Sequence, residues 1–123
     1  MNIKPPRILA PRAAPLGLAA LHDEMMQERA ATLGRVTRAF EESLAAFLRF
    51  EAETDPDQAH WSARRERLLD RAAEALWCFV VQREAFGLRN TEAVLRELQV
   101  PMTVRLRMGA TRPERRNTQS RGE

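Results

Sequence analysis

The sequence predicts an all-α protein: a long antiparallel helical hairpin with a short C-terminal helical cap, completing a bundle by dimerisation. Three observations carry this expectation. Ala, Leu, Arg and Glu dominate the 123 residues, Gly is scarce at five, and Tyr is absent; these are the residues helices favour. Apolar side chains recur at helical spacing over two long stretches. A sharp Asp-Pro-Asp boundary separates the two stretches.

Residues 1–15 are expected to form a flexible arm, because Pro5, Pro6, Pro11 and Pro15 break a helix there. Residues 16–109 are expected to form a single helical domain, and residues 110–123 a disordered, basic tail.

The first helix is predicted over about residues 18–52. Met26, Leu33, Phe40 and Phe47 recur every seven residues, and Ala30, Val36, Leu44 and Leu48 fill in at three- and four-residue offsets. Arg35, Arg38, Glu41, Glu42 and Arg49 fall on the other side. Gly34 is the weak point where a bend could form. A helix of this length would extend about 50 Å, against a radius of gyration of about 14 Å for a compact domain of this size. A second copy would therefore complete the core, with Met26, Leu33, Phe40, Leu44 and Phe47 as the self-association stripe.

The second helix is predicted over about residues 56–86. Asp55 is its expected N-cap, Pro56 its first residue, and Gln58 the closing residue of a capping box. Trp61, Leu68, Ala72, Ala75, Leu76, Phe79 and Phe86 make one face, and Gly87 is placed to end the helix. Trp77 and Val81 lie on the opposite face and need a cover. With Gln82 and Arg83 they form a candidate packing or partner patch. Cys78 lies in the run Ala75–Val81 and reads as a small core residue.

Asn90 is expected to cap a short third helix through Leu98. Residues 100–108 read either as a strand or as a short helix from Pro101, with Val100, Val104 and Met108 four apart; the helix is favoured, since a strand has no partner in this chain.

Chemistry is sparse. His22 and His60 sit at helix starts and read as solvated side chains. One thiol cannot form an internal disulfide. No phosphate-binding loop, nucleophile elbow or dinucleotide fingerprint is present. No cofactor and no enzymatic activity is expected. No apolar run approaches the roughly 20 residues a membrane span needs, and a cytoplasmic location is expected.

The net charge is +3, and the ends carry more than all of it. Lys4, Arg7 and Arg12 lie before residue 16; Arg112, Arg115, Arg116 and Arg121 lie with Glu114 and Glu123 after Gly109. The body between them is therefore slightly acidic, which weighs against a dedicated nucleic-acid domain. Nineteen of the twenty basic residues are Arg, as phosphate recognition favours and as a GC-rich coding sequence also yields.

The expected function is that of a non-enzymatic helical interaction or accessory protein, a homodimer with a protein partner. The alternative is a nucleic-acid-associated regulator using residues 91–108 and the basic ends, with Arg105 and Arg107 on phosphate.

The run from Val80-Val81-Gln82-Arg83 through Ala85-Phe86-Gly87-Leu88-Arg89-Asn90, followed by Val100-Pro101 and Arg107-Met108-Gly109, resembles a family of small bacterial proteins of unknown function. The resemblance implies a bacterial source and a helical fold, and carries over no activity or functional residue.

Overall fold

The computed structural model describes the backbone of residues 4–110 and the side chains of residues 17–110. Every element among them is helical: α1 (Lys4–Glu53), α2 (Trp61–Ala85), α3 (Thr91–Glu97) and α4 (residues 102–110). The chain falls into two compact units, Met1–Thr32 and Leu33–Glu123.

α1 begins ahead of the start near residue 18 that the apolar repeat predicts. Pro5 and Pro6 fall in its first turn, where a helix needs no amide hydrogen from them. Gly34 lies inside α1, so the bend foreseen there is not a break in the helix. Of the arm expected over 1–15, residues 4–15 with Pro11 and Pro15 fall within α1, and their side chains lie outside the described residues. The expected tail over 110–123 lies, past residue 110, outside them too.

In the first unit, every described residue from Gly17 to Ala31 is exposed.

The second unit holds the core. Phe40, Leu44 and Phe47 from α1 meet Leu69, Ala72, Leu76 and Phe79 from α2, Leu95 from α3 and Val104 from α4. The Phe40 and Phe79 rings stack with centroids 5.6 Å apart. Nearer the α1–α2 turn, Phe50 stacks on Trp61 at 5.8 Å. Arg65 lies over the Phe47 ring and donates from Nε to Glu51 Oε2 at 2.8 Å. Val94, Leu98, Val100 and Met108 close the core from the C-terminal segment. Val104 and Met108, four apart on α4, thus share the side that meets the core, and Val100 reaches it from the turn before α4.

The α1–α2 connection corrects the predicted capping box. Asp55 does accept a backbone hydrogen bond two residues on, from the Asp57 amide at 2.9 Å, and the Gln58 amide closes a turn on the Asp55 carbonyl at 3.0 Å. That chemistry makes a tight turn in place of a first helical turn, since the same Asx geometry serves both. α2 starts five residues later than predicted, behind His60 in the left-handed region at φ 63°.

α2 ends as Gly87 predicts. Gly87 sits at φ 74°. Its amide donates to the Glu84 carbonyl at 3.0 Å, and the Leu88 amide to the Arg83 carbonyl at 2.9 Å. This pair of bonds is the Schellman motif. α3 ends the same way, with Gln99 at φ 56° and amide bonds from Gln99 to Arg96 and from Val100 to Leu95. A left-handed Gln replaces the usual Gly. The buried Leu95 and half-buried Val100 supply the accompanying apolar pair.

Asn90 precedes α3 as predicted, but at φ 63° its side chain makes no capping bond. The turn is held instead by Arg83. Its Nη2 donates to the Arg89 carbonyl at 2.8 Å and its Nε to Thr91 Oγ1 at 3.3 Å. Arg83 also lies over the Phe79 ring at 5.8 Å.

Candidate functional site

Four surfaces bear on function. The first is the apolar stripe of α1, which the structure divides. Phe40, Leu44 and Phe47 are buried in the core of their own chain, and Leu33 is half-buried. Met26 is 48% exposed, and with it Leu18 at 64%, Leu21 at 51% and Met25 at 49%. At 100° per residue these four fall within an arc of about 140°. The periodicity marked a single stripe; only packing distinguishes its buried length from its open length. Leu18, Leu21 and Met25 were missed because the seven-residue repeat selects Met26 and passes over its neighbours.

The second surface is the patch around Trp77. Trp77, Gln82 and Arg83 are half-buried and Val81 is 36% exposed. Trp77 makes contacts of its own. Arg83 is committed to the α2–α3 turn, so it positions backbone as well as meeting solvent. Cys78 is exposed, which corrects its reading as a core residue. It lies two residues from Leu76, about 200° around the helix from the buried side; the apolar run hid that offset.

The third surface is α4. Arg105 pairs with Glu92. Arg107 donates from Nη1 to Asp70 Oδ1 at 2.8 Å and from Nη2 to Glu66 Oε2 at 2.6 Å. The hydrogen bonds to Asp70 and then Glu66 outweigh burial and raise the Arg107 pKa above its ordinary value. Both arginines are thus engaged by carboxylates of their own chain. Beside them, Leu69, Met102, Leu106 and Arg107 line a shallow cleft of about 410 Å³, with Met102 61% and Leu106 65% exposed.

The fourth surface went unnoticed in the sequence. Arg64, Arg67 and Arg71 lie on α2 at offsets of three and four residues, all exposed, and with Leu68 they line a hollow of about 160 Å³. None has an ion-pair partner among the described residues. Their spacing was the available signal, and the scattered Arg of this sequence masked it.

No cluster of three or more His, Cys, Asp or Glu that could hold a metal occurs among the described residues. No helix there is long and apolar enough to cross a membrane.

These features define a small all-helical protein with a four-helix contribution to one core and an open apolar face on its longest helix. The chain belongs to the family of unknown function DUF6665, which matches residues 7–116. An uncharacterised family is what the run from Val80 to Gly109 resembles. No curated protein and no solved structure matches the chain.

Proposed function

We propose that this chain is a non-enzymatic helical accessory protein that works by contact and self-associates through the N-terminal part of α1. In this reading α1 and α2 form a long antiparallel hairpin capped by α3 and α4, and two hairpins complete a bundle. The pairing of Phe50 with Trp61 near the turn and of Phe40 with Phe79 farther out supports the antiparallel hairpin.

The observation that carries the reading is the exposure of Leu18, Leu21, Met25 and Met26 on a helix exposed throughout Gly17–Ala31. Helices of this kind draw most of their stability from burying an apolar face. A twofold mate offers the same face and makes the contact self-complementary. The self-association stripe therefore shifts from Phe40, Leu44 and Phe47, which their own chain occupies, to Met26 and its neighbours. The engagement of Arg105 and Arg107 with Glu92, Asp70 and Glu66 favours this reading over a regulator that uses residues 91–108 on nucleic acid.

Cysteine cross-linking tests it. In a Cys78→Ser background, Met25→Cys should give covalent dimers under mild oxidation, and Arg49→Cys, on the polar side of α1, should not. Equal, slow cross-linking at both positions would contradict the proposal.

A further inference from the structure

We propose that Arg64, Arg67 and Arg71 form a binding row for the phosphodiester backbone of a nucleic acid, on a face of α2 distinct from residues 91–108. At 100° per residue the three fall within an arc of about 60°, on the flank of α2 beside the buried side that Leu69, Ala72, Leu76 and Phe79 form. Along the axis they span about 10 Å, the rise of about three nucleotide steps on one strand.

Their availability follows from how the acids of α2 are used. Asp70, three residues from Arg67, is taken by Arg107. Glu66 is shared between Arg107 and Arg65. Glu74, three residues beyond Arg71, is engaged in a contact of its own. The α4 arginine thus draws carboxylates to its own side, and Arg64, Arg67 and Arg71 have no ion pair among the described residues. Arg64 is steadied by the Phe50 ring, 5.0 Å from its Cζ. Guanidinium forks match the oxygens of a phosphate in shape as well as charge.

A nucleic acid suits this row better than an acidic protein. A protein interface needs an apolar centre ringed by polar groups, and here Leu68 is the sole apolar side chain lining the hollow. Backbone binding needs only charge at the right spacing, and draws its affinity from released counterions. The row is independent of the open face of α1, so either surface can fail without the other.

The test is fluorescence anisotropy of a labelled oligonucleotide, single-stranded and duplex, titrated with the full chain between 50 and 200 mM salt. The comparison is with the triple variant Arg64→Gln, Arg67→Gln, Arg71→Gln. All three side chains are exposed, and an unchanged circular-dichroism melt establishes that the variant is folded. Three phosphate contacts correspond to a salt slope steeper by about 2.7 for duplex and about 2.1 for single strands. For duplex this is about a 40-fold difference in the affinity lost across that fourfold rise in salt. Arg105→Ala, whose partner Glu92 lies on α3, should leave the slope within error of the wild type. Absence of binding at 50 mM salt would overturn the proposal. So would a triple variant with the wild-type slope, or polyglutamate of equal charge bound as tightly as the oligonucleotide.

Discussion

The stacked pair Phe40–Phe79 gives the sharpest test of the core. Both rings are essentially inaccessible, at 0% and 2% exposure, and their centroids are 5.6 Å apart with planes inclined by 23°. Truncating a buried Phe to Ala costs about 3–5 kcal/mol through lost burial and the cavity left behind. The pair itself is worth about 0.5–1.5 kcal/mol beyond area. Phe40→Ala and Phe79→Ala should therefore each destabilise by about 3–5 kcal/mol, a large share of the stability of a small domain. The double variant should fall short of the sum of the singles by at least about 0.5 kcal/mol, the signature of residues in contact. Phe40→Leu and Phe79→Leu provide the same cycle at a milder cost, about 1–3 kcal/mol each, and keep the variants folded. The assay is urea unfolding followed by circular dichroism, with stability read from the midpoint at constant slope. Single losses under about 1 kcal/mol for the Ala variants, or strictly additive effects, would refute the packing described.

Other consequences are equally specific. Trp61 stacks on Phe50, yet its indole Nε1 is buried without a hydrogen-bond partner among the described residues. Trp61→Phe keeps a ring there and removes an orphan donor that costs about 1–3 kcal/mol, so the urea midpoint should hold or rise; a clear fall contradicts this. Gly87 and Gln99 both occupy the left-handed region at a helix end. Thermal melts should show Gly87→Ala destabilised by about 1–2 kcal/mol and Gln99→Gly equal to or up to about 1 kcal/mol more stable than the wild type. The same sign for both would be incompatible with this geometry. Arg107 has its pKa raised by Asp70 and Glu66. A raised cation contributes fully below its unfolded pKa and loses that contribution only as pH climbs through the folded value. The stability difference between wild type and Arg107→Met, at most about 1 kcal/mol for so open a network, should stay constant from about pH 7 to 10. Its disappearance within that window would contradict the assignment.

The helical class, the C-terminal end of α2 and the helical nature of residues 102–110 were legible because local signals and burial agree there. Gly87 is one such signal. The Val104–Met108 spacing is another, because α4 brings both residues onto the core that Val100 reaches from the turn before it. The start of α2 was misplaced because an Asp-Pro-Asp sequence serves a turn and a helix cap with the same hydrogen bond. Cys78 was misread because seven consecutive apolar residues conceal which side of the helix each occupies. Arg107 was noticed for its charge, but its partners Asp70 and Glu66 lie 37 and 41 positions away in sequence. Pairings at that distance depend on tertiary packing, and so does the exposure of Arg64, Arg67 and Arg71.

Mass in solution tests the open face of α1 most directly. Sedimentation equilibrium over a wide concentration range should find the wild-type chain moving from 14.1 kDa toward twice that mass. Leu21→Glu with Met25→Glu should stay at the single-chain mass at every concentration, with the Phe40–Phe79 core still folded. A wild-type chain that remains monomeric throughout, or a double variant that associates as strongly, would contradict the account.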